Sequence, residues 1–300
     1  MATVRELLGE AVRRLAAAGR PQPRLDAEVL LAHVLGVGRV WLLAHANDST
    51  DASRAESFRR LVETVATGRP LQHILGRQEF YGREFLVDDS VLIPRPETEF
   101  VVELALRLLS RGRVAVADVG TGSGCIGVTL ACEHRQARVV GTDISRRALV
   151  VARRNACRWG VQERFLPVNT RTLAALPVRP CLDLVVSNPP YVAVGDPAVE
   201  PSVARFEPRE AVYAGPTGLE IHREILTEAA PRLRPQGHLV LEIGRGQVPA
   251  LEELASQLGW TVVEILSDYA GIPRVMALQS AAFRTPTTAA DAPGPGAHRA

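Results

Sequence analysis

From Val114 onward, strand-like and helix-like runs alternate, and no other feature restricts the possible folds of this chain so tightly. Aliphatic and β-branched runs occur at 114–119, 138–142, 182–187, 238–243, 261–266 and 274–278. Amphipathic stretches at 125–133, 145–159, 219–233 and 248–258 fill the gaps. Such alternation predicts an α/β fold with a doubly wound, mostly parallel sheet covered by helices on both faces. Ser145 stands at an N-cap position and Gly160 at a C-cap position of the second helix.

The preceding third reads differently. Val4, Leu7, Leu8, Val12 and Leu15 recur at helical spacing until Gly19 and Pro21 interrupt them. Segments 25–35 and 53–66 repeat that periodicity, so residues up to about 75 predict a small all-α bundle. At Glu79 aromatic and β-branched residues begin to flank Gly82 and Asp88-Asp89, which predicts a short hairpin. Pro94 and Pro96 end it, and 98–109 continues as an amphipathic helix. The last twenty residues, rich in Ala, Pro, Gly and Thr, lack periodicity and are expected to be disordered.

Bulk properties exclude several functions. A formal charge of +2 gives no electrostatic basis for strong non-specific nucleic-acid binding. There is no lysine, which removes lysine Schiff-base and lysine general-base chemistry. Cys125, Cys132, Cys157 and Cys181 show no C-x-x-C spacing, and the seven histidines show no metal-ligand spacing, so no metal site is expected. No signal peptide or apolar run of about 18 residues is present, so a cytoplasmic protein without membrane contact is expected.

Two loops carry the chemistry. Asp118-Val-Gly120-Thr121-Gly122-Ser123-Gly124 joins a predicted strand to a predicted helix, where glycines admit a ligand against free helix N–H groups. Asp143 ends the next strand, 23 positions after Gly120, and suits two ribose hydroxyls. Gly122-x-Gly124-x-x-Gly127 also matches a dinucleotide fingerprint. Asp118 argues against that reading: its carboxylate repels a pyrophosphate but accommodates the amino group of a methionine moiety, directly or through water.

The second loop, Asn188-Pro189-Pro190-Tyr191, follows the run at 182–187. Two prolines remove two donors and fix two φ angles, making a rigid platform. Asn188 and the Pro189 carbonyl offer two acceptors, and Tyr191 offers a flat face for a planar group. Two acceptors gripping both N–H bonds of an amide or amine can aim its delocalised lone pair at an electrophilic carbon. Together the loops point to methyl transfer from S-adenosylmethionine to a planar nitrogen. A nucleic-acid base amine is the alternative acceptor.

The chain resembles the bacterial and organellar N5-glutamine methyltransferases that modify peptide chain release factors. The likeness runs from Val4 to Leu278. It is carried by Phe80-Tyr81-Gly82, Phe85, Ile93-Pro94-Arg95-Pro96-Glu97-Thr98-Glu99, the glycine loop, Asn188 to Tyr191, and Arg205-Phe206-Glu207-Pro208. The resemblance implies a class I methyltransferase domain at 98–280, a helical substrate-recognition domain at 1–77, a hairpin linker at 78–97 and a tail at 281–300. It implies transfer to the glutamine of a release factor's Gly-Gly-Gln loop, with no direct need for nucleic acid; another protein glutamine is the alternative. Asp118, Gly120, Thr121, Gly122, Ser123, Gly124, Asp143 and Asn188 would then meet the cofactor. Asn188 and Pro189 would hold the acceptor amide, with Pro190 and Tyr191 beside it.

The family's usual acid near the adenine is missing, and Asn169 stands as the substitute acceptor. Glu97 and Glu99 are read either as pocket wall or as charges favouring the first helical turn, the latter for at least one. Arg205 and Glu207 are expected to form a loop-bracing ion pair.

Overall fold

The computed structural model describes residues 1–280, so the tail expected to be disordered lies outside the described residues. Five helices open the chain: α1 (Val4–Ala17), α2 (Pro23–Leu35), α3 (Arg39–Ala44), α4 (Ala52–Ala66) and α5 (Leu71–Leu75). Thr3 and Glu6 close a reciprocal capping box at the start of α1, and Asp51 caps α4. Their apolar faces bury Leu7, Leu15, Leu30, Leu31, Leu42 and Phe58 in a core of their own. Each such side chain contributes roughly 1.5–3 kcal/mol when removed from water.

Strands β1 (Arg77–Phe80) and β2 (Arg83–Leu86) pair as an antiparallel hairpin. Its aromatic residues do more than span a gap. Phe80 and Phe85 are buried in the same core as α6 (Glu99–Leu108) and α7 (Cys125–Glu133). Asn155, fully buried on α8 (Arg146–Arg158), accepts from Leu86 N–H and donates to the carbonyls of Leu86 and Ser123. One amide thereby ties hairpin, helix and glycine loop together.

The central sheet contains β3 (Val114–Val119), β4 (Ala137–Asp143), β5 (Phe165–Asn169), β6 (Leu182–Ser187), β9 (Leu233–Glu242), β10 (Trp260–Ser267) and β11 (Pro273–Ser280). Between β6 and β9 lie β7 (Val192–Ala193), α9 (Pro201–Phe206), α10 (Arg209–Val212), β8 (Tyr213–Gly215) and α11 (Glu220–Ala229); α12 (Val248–Gln257) follows β9. The strand order is β10-β11-β9-β6-β3-β4-β5, with β11 antiparallel to both neighbours and every other pairing parallel. Alternate residues of β3 enter opposite layers: Val114 and Val116 pack towards α6 and α7, Ala117 and Val119 towards α11 and α12. The expected α/β architecture is what the chain adopts, and chain direction across the sheet reverses between β3 and β6. Ligands of such sheets bind at that switch point.

Two local expectations need correction. The helix expected over 219–233 ends at Ala229, because Pro231 lacks an N–H and clashes with the preceding turn. Strand β5 escaped the sequence reading because Pro167 interrupts it; β5 lies at the sheet edge, where a missing donor costs least.

Candidate active site

Adjacent strands β3 and β6 release the two loops side by side. Val119 pairs with Ser187 at their ends, and the Ser187 hydroxyl donates to the Val119 carbonyl at 2.7 Å. Above them opens a cleft of about 230 Å³, whose walls include Gly120 to Ser123, Asp143, Thr98 and Asn188 to Pro190.

The glycine loop is bent by backbone geometry that only glycine accepts cheaply: φ is +68° at Gly120 and +54° at Gly122. A Cβ on Gly120 would meet no protein atom within 4 Å, so its open side is available to a ligand. Asp143 accepts from Gly122 N–H at 2.9 Å and from Ser145 N–H at 2.8 Å, one bond per oxygen. Each oxygen keeps lone-pair capacity for a hydroxyl. Burial pushes the Asp143 carboxyl upward, offset by those two bonds, and the nearby charge of Glu210 pushes the same way.

Asp118 lies deep beneath the loop. It is completely buried and forms no wall of the cleft. Its Oδ2 accepts from the Thr121 hydroxyl at 2.5 Å and from Gly127 N–H at 2.9 Å, while Oδ1 has no partner. Burial raises its pKa to about 6. Asp118 braces the loop from behind, and of the two modes expected of it, direct or through water, its depth leaves the one through water.

The second loop is held by side chains from far along the chain. Asn188 Nδ2 donates to the Thr98 hydroxyl oxygen at 3.0 Å, and the Thr98 hydroxyl donates to Glu242 Oε2 at 2.7 Å. The Tyr191 hydroxyl donates to Glu242 Oε1 at 3.3 Å. Glu242 is 2% exposed, and burial raises its pKa to about 7 against the pull of the Thr98 and Tyr191 bonds. Burial, then the neighbouring Glu242 charge, pushes the Tyr191 phenol up as well. Gln247 Nε2 donates to the Tyr191 carbonyl at 2.9 Å. At Gly218, with φ +81°, a Cβ would stand 2.6 Å from that carbonyl.

Several expectations are redistributed by this geometry. Asn188, Pro189 and Pro190 line the cleft, whereas Tyr191 faces Glu242 and is not part of the cleft wall. Asn169 is also outside the wall: its amide donates to the carbonyls of Asp143 and Ile144 and accepts from Arg146. Its oxygen takes one bond and keeps a second lone pair, while Thr170, Arg171 and Thr172 border the cleft.

Glu207 pairs with Arg95, not Arg205, and accepts from Ile93 N–H. Arg205 lies over the Phe206 ring at 5.0 Å. Glu99 does occupy the first turn of α6, and it also accepts from Tyr81 N–H at 2.7 Å, fastening the hairpin. Glu97 is absent from the cleft wall; it sits in the 3₁₀ turn before α6, where its charge raises the Glu242 carboxyl. Cys125 borders the cleft, but burial pushes its thiol up to about 12, which excludes a thiolate nucleophile at neutral pH. No cluster of metal-ligating side chains exists among the described residues. Thr98, Glu242, Gln247 and Gly218 were not singled out from sequence. Only Thr98 carried a signal, its place in Arg95 to Glu99.

Residues 6–76 match the model of the PrmC N-terminal domain, and residues 99–205 match that of the Methyltransferase small domain. A crystal structure of a methyltransferase from Pyrococcus furiosus shares the fold, with a TM-score of 0.50 and 18% identity over 73% of this chain and 97% of that one. The release factor glutamine methyltransferase of Moorella thermoacetica is 44% identical over 91% of this chain and 96% of its own. That of Xylella fastidiosa (strain Temecula1) is 42% identical over 87% and 94%. With such identity across nearly the whole of both chains, this chain belongs to the release factor glutamine methyltransferase family.

Proposed function

We propose that this chain transfers a methyl group from S-adenosylmethionine to the side-chain amide nitrogen, N5, of the glutamine in the Gly-Gly-Gln loop of a peptide chain release factor. The observation that carries this reading is the juxtaposition of the two loops on β3 and β6 over one cleft. The names of the relatives supply the acceptor class. The cleft fits such a cofactor: the open side of Gly120 admits it closely, and Asp143 retains acceptor capacity on both oxygens.

When bound, the cofactor supplies an electrophilic methyl on a sulfonium centre. The protein's part is orientation and electrostatics. Gly120 to Gly124 and Asp143 would hold the cofactor. Asn188 Oδ1 and the Pro189 carbonyl would accept the two N–H bonds of the glutamine amide, directing its weak lone pair out of the amide plane. Those acceptors also stabilise positive charge developing on nitrogen. Pro189 and Pro190 keep both acceptors in place, so little reorganisation is needed as the bond forms. The helices of residues 1–77 would hold the body of the release factor, and Phe206 lies 3.7 Å from the Cβ position of Gly68, beside the catalytic domain.

The reading is tested with methyl-labelled S-adenosylmethionine and an unmethylated release factor. Label is expected on the Gly-Gly-Gln glutamine by peptide mass spectrometry. Label on RNA or DNA alone, or on no acceptor, would contradict it.

A further inference from the structure

We infer that Thr98 and Glu242 are positioning residues that set which end of the Asn188 amide faces the acceptor. The inference rests on the proposed methyl transfer and concerns how one side chain is kept in the productive orientation.

An asparagine amide turned by 180° about its last torsion has nearly the same shape but exchanges acceptor for donors. Only one orientation offers an oxygen to a substrate N–H. Nothing in the Asn-Pro-Pro-Tyr motif itself chooses between the two. The choice is made through a chain of three side chains from remote parts of the fold.

Glu242 ends β9, and above about pH 7 its ionised carboxylate can only accept. One oxygen takes the Thr98 hydroxyl at 2.7 Å and the other takes the Tyr191 hydroxyl at 3.3 Å. A threonine hydroxyl has a single hydrogen, and here it is spent on Glu242. The Thr98 oxygen can therefore only accept from Asn188, which brings Nδ2 to it at 3.0 Å. The opposite orientation would set the Asn188 carbonyl oxygen against hydroxyl lone pairs in a buried place, where Thr98 is 1% exposed. With Nδ2 held, Oδ1 is the end left for the acceptor amide.

The same counting predicts how the device is undone. A protonated Glu242 gains a hydrogen to donate to Thr98. The Thr98 hydrogen is then free to point at Asn188, and the reversed amide is tolerated. The groups acting on the Glu242 carboxyl are Thr98 and Glu97 before α6, Tyr191 after β6 and Arg274 on β11, while His222 on α11 meets only its main-chain carbonyl, at 3.1 Å. Burial brings that protonation to about pH 7.

The experiment compares wild type with Thr98→Val, which keeps the shape without the hydroxyl, and Thr98→Ser, which restores it. Turnover with release factor is read alongside cofactor affinity by calorimetry. Exchange of the Asn188 side-chain amide protons is followed by NMR without acceptor. Thr98→Val is expected to lower kcat about tenfold or more, with cofactor Kd within about twofold of wild type. Thr98→Ser should recover most of kcat. Slow exchange of one Asn188 proton should be seen in wild type and the serine variant and be lost in the valine variant. Equal exchange in wild type and Thr98→Val, or equal kcat, would overturn the inference. Exchange is read without turnover, so it decides the point even if the wild type proves inactive on release factors, a result that would instead strike the proposed function.

Discussion

The two loops over the cleft are built by opposite means. The glycine loop is held by short-range partners: Asp118 reaches Thr121 and Gly127, Asp143 reaches Gly122, and Asn155 reaches Ser123. All lie within 32 positions of the residues they hold. The Asn-Pro-Pro-Tyr loop is held from afar, by Thr98 at 90 positions from Asn188 and by Glu242 and Gln247 at 51 and 56 from Tyr191. A cofactor site used by many chemistries can be carried as one βαβ unit. An acceptor site has to be assembled from several elements, so its precision depends on the whole sheet being in place.

Substitutions at the two loops should therefore fail in different ways. The largest effect is expected from Asn188→Ala, which on the proposed mechanism removes an acceptor at the developing charge. Turnover should fall about 100- to 1000-fold while cofactor affinity stays within about twofold, by single-turnover kinetics and calorimetry. Parallel losses in both would erase the division between the loops.

Asp143→Ala should give the converse. Cofactor Kd is expected to rise about tenfold to a hundredfold, as charge-assisted hydrogen bonds are worth roughly 1.5–3 kcal/mol each. At saturating cofactor, kcat should remain within about threefold. A collapse of kcat with unchanged Kd would place Asp143 on the wrong side of the comparison.

A smaller effect is expected from Gly218→Ala, which touches neither motif in sequence. Its Cβ would press on the Tyr191 carbonyl at 2.6 Å from a left-handed backbone. The strain should cost about 1–3 kcal/mol in stability and lower kcat about tenfold, leaving cofactor affinity near wild type. Wild-type kcat in this variant would show that the second loop does not depend on remote support.

How much was legible from sequence follows the same division. The glycine loop, Asp143 and the Asn-Pro-Pro-Tyr turn stood out because each is a short pattern between recognisable elements. The sheet was legible from alternation, except β5, where Pro167 masks an edge strand. Partners separated by a hundred residues left no mark. Glu207 was assigned to Arg205, two positions away, yet the fold brings Arg95 from 112 positions off. Glu242 follows the buried Leu239, Val240 and Leu241 at the end of its strand, where nothing local distinguishes a carboxylate that serves a site from one that faces water. The position of Asp118 at the start of the glycine loop is visible in the sequence, and its depth is not.

The most direct measurement is a crystal structure of this chain with S-adenosylhomocysteine and a glutamine-containing Gly-Gly-Gln peptide. The account predicts the nucleoside and amino-acid portions against Gly120 to Gly124 and Asp143, with the glutamine amide in the same cleft, donating to Asn188 Oδ1 and the Pro189 carbonyl. A peptide seated away from Asn188, or a cofactor product bound outside the cleft above β3, would contradict it.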